Sequence, residues 1–177
     1  MTSRIKTIIK MTLGSGLVVA AMAIGISQIR RFSETGEEGL QVWFYDQSEQ
    51  RLYAVPRETI PPHKGDGGQK NDGVRAVVVA GPNECQDPDK RRIAYLETFT
   101  PELKELMEGI AAARVAGRPY GKPIPGGESG FYEKNTLVRR VDDPTWHDMT
   151  SVEGRKIVVE WRSTRCSDGS SPVICSP

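Results

Sequence analysis

The chain has 177 residues, and about 145 of them follow the basic pair Arg30-Arg31, which is the length of one folded domain. Its formal net charge is +1, but five of its 24 Lys and Arg residues precede residue 32, so 19 basic residues face 23 acidic ones in the remainder. That acidic balance implies no basic face of the kind that binds nucleic acid, and we expect no nucleic-acid partner.

Residues 11–29 form a long apolar stretch that dominates the N-terminal part of the sequence. They read MTLGSGLVVAAMAIGISQI, carry no charge, and lie between Lys10 and Arg30-Arg31. A helix of this length is about 28 Å long, close to the ~30 Å hydrocarbon core of a bilayer. The sequence therefore predicts a transmembrane helix with the lipid bilayer as its partner. A basic segment 1–10 precedes it, and a tether 30–39 and a domain 40–177 follow.

A cleavable signal peptide is the alternative for the same stretch. The basic segment resembles an n-region, and Ala21-Met22-Ala23 is a small-x-small cleavage site. The apolar run continues past Ala23 to Arg30-Arg31, a pair able to snorkel at the interface, which favours a retained anchor. In either case the basic N-terminus is predicted to be cytoplasmic and the domain extracytoplasmic, although the two flanks differ by few Lys and Arg.

The first part of the domain has the composition of a β-hairpin. Leu40–Tyr45 and Leu52–Val55 are rich in β-branched and aromatic residues and flank a polar turn. Trp43-Phe44-Tyr45 would suit a sugar ring, but alternation along a strand favours burial in the sheet. Residues 63–73 follow as a polar loop without an apolar anchor.

Two further strands are predicted next to each other. Val74–Ala80 is almost entirely Val and Ala, which indicates a central strand buried on both faces. Ile93–Phe99 follows as its partner, and strict alternation would place Ile93 and Tyr95 on the same face.

The predicted elements of the second half are two helices and one strand. Thr100 as N-cap and Pro101 at the first position begin a helix that is expected to end at Gly117. Its apolar residues follow the helical period and form one stripe, which consists of Leu103, Leu106, Met107 and Ile110. Residues 117–130 form a loose tract rich in Gly and Pro, and Thr136–Val141 is a strand. Ser151 is predicted to cap a second helix over 152–165, whose buried side consists of Val152, Ile157, Val158 and Trp161. A strand is the alternative there, because Ile157-Val158-Val159 is β-branched.

The chain contains three cysteines. Cys166 and Cys175 enclose a short loop, and in an oxidising compartment they are the natural disulfide candidates. Cys85 is then free or paired between chains. Two cysteines without a nearby histidine make no zinc site, and we expect no metal or other cofactor.

No catalytic motif stands out in the sequence. His147 lies between Trp146 and Asp148, but adjacent side chains seldom face each other and no nucleophile motif accompanies them. The stretch from Asp66 to Asp72 lacks the register of a calcium loop. The Gly121-Lys122 pair follows a helix and precedes a proline, which does not fit a phosphate-binding loop.

Several short segments form a recognisable set: Trp43-Phe44-Tyr45-Asp46, Asp72-Gly73-Val74-Arg75-Ala76, Ile93-Ala94-Tyr95-Leu96-Glu97, Asp142-Asp143-Pro144 with Trp146, and the tail between Cys166 and Cys175. Together they resemble a group of uncharacterised, singly anchored envelope proteins of planctomycete-type bacteria, over most of residues 40–175. The resemblance implies an anchored envelope protein and supplies no activity and no catalytic or binding residue.

The sequence thus predicts an α+β domain with a small, mainly antiparallel sheet and two helices, preceded by one transmembrane helix. The expected role is non-enzymatic, either contact with a membrane or envelope protein or a structural role in the cell envelope. One alternative is a carboxylate hydrolase with its site in the loops 63–73 and 117–130, because long loops often carry function. The other is a secreted binding protein cleaved after Ala23.

Overall fold

The structure is a computed structural model of the chain and describes residues 39–68 and 70–177. Residues Gln41–Pro177 form one compact unit. The predicted transmembrane helix 11–29 and the basic segment 1–10 lie outside the described residues. In the part of the chain that is described, no helix has the length and hydropathy needed to cross a bilayer.

Seven strands and three helices follow one another in the described residues. The strands are β1 (Gln41–Asp46), β2 (Arg51–Pro56), β3 (Gly73–Ala80), β4 (Arg92–Phe99), β5 (Thr136–Arg139), β6 (His147–Asp148) and β7 (Val173–Ile174). The helices are α1 (Pro101–Val115), α2 (Gly127–Lys134) and α3 (Val152–Glu160), with short 3-10 helices at Pro88–Lys90 and Trp161–Ser163.

All neighbouring strands of the sheet are antiparallel. The order is β2-β1-β3-β4-β5-β6, and β7 pairs with β3. The predicted α+β class with a mainly antiparallel sheet is confirmed, and three helices are present where two were predicted.

The predicted hairpin and the predicted central strand are both confirmed. β1 and β2 pair in register from Gln41–Pro56 to Asp46–Arg51. β3 has β1, β4 and β7 as neighbours, and Val78 and Val79 in it are at most 1% exposed. Burial on both faces accounts for the almost continuous Val and Ala of this strand.

The two faces of the sheet are covered by different parts of the chain. On one face the buried residues of β3 and Leu96 pack with Cys175 of the C-terminal tail and with Cys85 and Trp146 from loops. On the other face Tyr95 and Val138 pack against Ile157 of α3. The sheet therefore has a loop-covered face and a helix-covered face.

A β-bulge in β4 breaks the predicted alternation. Val77 lies opposite Tyr95, while the next residue, Val78, lies opposite Ile93, so Ala94 is an extra residue in β4. Ile93 therefore packs on the loop-covered face, and Ala94 and Tyr95 pack on the helix-covered face. The prediction that Ile93 and Tyr95 share a face is wrong, because counting by twos assumes that neither strand has an inserted residue.

α1 begins and ends as its sequence predicts. The Thr100 hydroxyl accepts a hydrogen bond from the backbone N–H of Leu103, and Pro101 occupies the first helical position. After Val115 the chain turns at Gly117, whose φ of +65° is favourable only for glycine.

α3 confirms its predicted cap and, in Ile157, Val158 and Trp161, most of its predicted buried side, but not its full length or the burial of Val152. The Ser151 hydroxyl accepts a hydrogen bond from the backbone N–H of Gly154, 3.0 Å away. The α-helix ends at Glu160 and a single 3-10 turn follows, so the predicted range 152–165 is too long. Val152 is 89% exposed, whereas Ile157 is fully buried. Gly154 and Ile157 form the buried side, and a residue two positions before Gly154 lies on the opposite side of the helix.

α2 occupies part of the tract that was predicted to be loose. Residues 127–134 are helical, and the chain enters this helix through Gly126 and Gly127, with φ of +75° and +76°. The many glycines of 126–130 weaken the local helical signal, because glycine has low helix propensity. The packing of Phe99 against Tyr132, whose ring centroids are 5.3 Å apart, ties α2 to the sheet.

The C-terminal tail pairs with the central strand. Val173 and Ile174 form β7 beside the end of β3, and the backbone N–H of Cys175 donates to the Val78 carbonyl at 2.8 Å. This pairing places Cys175 beside the turn that follows β3, and Cys85 lies in that turn.

The disulfide of the described residues joins Cys85 to Cys175, with 5.3 Å between their Cα atoms. Cys166 is a free, partly buried cysteine. A disulfide was predicted and is present, but the predicted partner Cys166 is wrong. Proximity in sequence favoured Cys166, whereas sheet pairing of the tail brings Cys175 to a cysteine 90 positions away.

Candidate functional site

A groove of about 480 Å³ lies between α1 and α2. Its lining is mainly apolar and includes two oppositely charged side chains. The residues are Leu103, Leu106, Met107, Ile110 and Arg114 from α1, with Ile124, Ser129, Tyr132 and Glu133 from α2 and the segment before it. An apolar concave surface with a few polar groups is the usual form of a binding site.

The apolar stripe of α1 forms one wall of this groove. Leu103 is 1% exposed and belongs to the core, but Leu106, Met107 and Ile110 are only partly buried. Helical spacing predicted that these residues share one face, and the structure confirms it. An apolar helix face of this kind is usually covered by the core. Most of this face instead lines an open groove.

The second helix supplies the opposite wall and the floor. Tyr132 lines the groove and packs edge-on against Phe99 of β4. Glu133 lines the groove from the next position. The first turn of α1 is joined to the segment after β2, because the Lys104 ammonium group donates a hydrogen bond to the Pro62 carbonyl at 2.6 Å.

A buried polar cluster lies beneath Tyr132. Arg75 and Glu97 occupy directly opposite positions on β3 and β4, and the Arg75 guanidinium lies 6.0 Å from the centre of the Phe99 ring. Burial raises the pKa of Glu97, and the positive charge of Arg75 opposes that shift. Burial also raises the pKa values of Tyr95 and Tyr132, which keeps both phenols protonated.

This cluster has the character of a structural element. Its carboxyl group is only 9% exposed and lies opposite a cation across the strand pair. An enzyme nucleophile or base must reach its substrate, and these groups are covered by the sheet and by α2. The cluster is therefore a covered, structural part of the floor of the groove.

The loop 63–73 is organised by Asp46, which belongs to the polar turn predicted between the first two strands. The Asp46 carboxylate is 1% exposed. Its Oδ1 accepts hydrogen bonds from the Glu49 N–H, the Ser48 N–H and the Ser48 hydroxyl at 3.0–3.1 Å, and its Oδ2 accepts from the Gly67 N–H at 3.1 Å. The donation from Glu49, followed by that from Gly67, lowers the pKa of Asp46 despite its burial.

Other polar groups also hold the loop 63–73 in place. His63 and Gly73 exchange two backbone hydrogen bonds of 2.8 and 2.9 Å, and Asp66 forms an ion pair with Arg51. Burial and the charge of Asp46 raise the pKa of Tyr53 to about 12. Asp66 and Asp72, the two carboxylates of this loop, thus hold it to the β1–β2 turn, Asp72 through its Oδ2, which accepts a hydrogen bond from the Ser48 N–H at 3.1 Å.

The remaining candidate residues are in separate places. His63 bridges to Gly73, whereas His147 lies in β6 opposite Val138. Phe44 is buried in the sheet, and Trp43 packs on the loop-covered face with the Arg91 guanidinium 5.0 Å from its ring centre, which confirms the predicted role in the core. Within the described ranges, no group of three or more His, Cys, Asp or Glu side chains is placed to hold a metal ion.

Comparison with known protein families, with curated proteins and with solved structures gave no match.

Proposed function

We propose that the protein is a membrane-tethered, extracytoplasmic binding protein without catalytic activity, whose α1–α2 groove holds an apolar helical segment of another envelope protein. The observation that carries the proposal is the open apolar stripe of α1, in which Leu106, Met107 and Ile110 face a groove of about 480 Å³. A partner helix with apolar residues at positions i, i+3 and i+4 matches such a groove.

Three features support the proposed location. The uncharged residues 11–29 have the length of a membrane anchor. A Cys85–Cys175 disulfide fits an oxidising compartment, where such bonds persist. The resemblance of the sequence segments to singly anchored envelope proteins points to the same place.

A binding role is favoured over a loop-based hydrolase by the hydrogen bonding of the loop 63–73. A catalytic carboxylate needs a free oxygen and access to substrate. In that loop Asp66 is paired with Arg51, and Asp72 accepts from the Ser48 N–H through Oδ2 while its Oδ1 is buried away from solvent.

The groove can be tested with a photo-crosslinking amino acid placed in the full chain in its native membrane. We expect a discrete adduct from position 107 or 110, because both side chains line the groove. Position 105, exposed on the opposite side of α1, is the matched control and should give none.

A charged residue inside the groove should then abolish the adduct. Met107→Lys places an ammonium group on the apolar wall, and loss of one buried apolar contact weakens binding about tenfold. The adduct from position 110 should fall accordingly, while Glu105→Lys should leave it unchanged. Equal adducts from positions 105 and 110, or an adduct that Met107→Lys does not weaken, would contradict the groove as the binding surface.

A further inference from the structure

The end of α1 and the loop after it carry positive charge without acidic neighbours in sequence. Residues 109–127 contain Arg114, Arg118 and Lys122 and no Asp or Glu, and this is the longest acid-free stretch after residue 38. All three cations are exposed. None forms an ion pair with a described residue, whereas Arg51 and Arg140 do.

An exposed valine lies among these cations. Val115, the last residue of α1, is 90% exposed. Exposed single apolar residues are common in soluble proteins, but an exposed apolar side chain in a segment whose charges are all positive has the composition of a segment that contacts a membrane surface.

The loop is fixed to the end of the helix, so the cations and the valine stay close together. The Arg118 N–H donates to the Ala113 carbonyl at 3.0 Å and the Gly117 N–H donates to the Arg114 carbonyl at 3.0 Å. The ring of Tyr120 lies so close to Gly109 that a Cβ there would approach it to 3.0 Å. We define Arg114–Lys122 as the basic end of α1.

We propose that the basic end of α1 rests on the bilayer surface, with its cations on the phosphates of anionic lipids and Val115 inserted at the headgroup level. Charge complementarity selects the lipid surface as the occupant, because negatively charged headgroups attract clusters of Lys and Arg close to a membrane. The inference rests on the proposed tether, which holds the domain near the bilayer. It also places the groove, which shares Arg114 and Ile124 with this region, next to the membrane.

The test uses the full chain reconstituted into vesicles, with Cys166→Ala as background and an environment-sensitive dye on Val115→Cys. In vesicles that contain phosphatidylglycerol we expect blue-shifted emission, and in vesicles of phosphatidylcholine alone we expect the emission of a water-exposed dye. High salt should reverse the shift, because the Debye length falls from about 10 Å at 0.1 M to about 3 Å at 1 M.

Two matched controls accompany this measurement. Val152, 89% exposed in α3 beside Glu153, should give water-exposed emission in both lipids when replaced by labelled cysteine. The double change Arg118→Gln and Lys122→Gln should abolish the shift at position 115, whereas Arg155→Gln with Lys156→Gln should not.

The possible failures are distinguishable. A chain that does not float with the vesicles would overturn the tether, and the inference with it. A chain that floats but gives the same emission at positions 115 and 152, or no dependence on lipid charge, would overturn the inference and leave the tether intact. A shift in detergent that grows with protein concentration would assign the surface to a second copy of the chain, against the proposal.

Discussion

Replacing both Cys85 and Cys175 by alanine is expected to lower the free energy of unfolding by about 4 kcal/mol. The disulfide joins residues 90 positions apart, so it closes a long loop and strongly restricts the unfolded chain. It also fixes the C-terminal tail to the loop-covered face, where Cys175 is 4% exposed. Urea unfolding of the unit 39–177 under oxidising conditions measures the difference.

Cys166→Ala is the matched control for this result. Since Cys166 is free, its replacement should leave the unfolding free energy close to that of the parent chain. Peptide mapping of the non-reduced parent should recover a fragment that joins residues 85 and 175. If Cys166→Ala destabilised the unit as much as the double change, this result would contradict the Cys85–Cys175 disulfide and favour a disulfide between Cys166 and Cys175.

Asp46→Asn should destabilise the unit by about 2–3 kcal/mol at pH 7, because hydrogen bonds to a charged acceptor are each worth about 1.5–3 kcal/mol and are not additive. An amide nitrogen in place of Oδ2 cannot accept the hydrogen bond from the Gly67 N–H. The loop 63–73 then loses its bond to the β1–β2 turn. Urea unfolding measures the loss, and Asp142→Asn, at an exposed turn position, is the control and should cost little.

The effect of Asp46→Asn should depend on pH in a defined direction. The hydrogen bonds favour the carboxylate, so the pKa of Asp46 in the folded unit lies below its ordinary value. Its contribution is complete above the unfolded pKa of about 3.9 and is lost as the pH falls through the lowered folded pKa. The parent and Asp46→Asn should therefore converge in stability in strong acid, and a constant gap down to the lowest pH would contradict this account.

The parts of the fold that the sequence predicted are those whose signals are local. Val74–Ala80 is a central strand because an unbroken apolar run needs burial on both faces. The Thr100 and Ser151 caps depend on residues three positions away, and both hydrogen bonds are present. Spacing along α1 likewise predicted which of its apolar side chains share one face, and these side chains line the groove.

The parts that the sequence did not predict depend on distant or inserted residues. Cys85 meets Cys175 only because β7 pairs with β3. Asp46 organises a loop through Gly67, which is 21 positions away. The bulge at Ala94 has no local signature, and the glycines of 126–130 conceal α2. The groove could not be predicted because α2, which forms its second wall, was not predicted.

We propose that residues 11–29 tether an extracytoplasmic domain, and labelling of the free thiol of Cys166 tests this most directly. Intact cells that express the full chain are treated with a membrane-impermeant maleimide, with Cys166→Ala as the unlabelled control. We expect labelling without permeabilisation of the inner membrane, of a protein that stays in the membrane fraction through alkaline carbonate extraction. Labelling only after the inner membrane is opened, or release of the chain with a new N-terminus after Ala23, would contradict the tethered, extracytoplasmic domain.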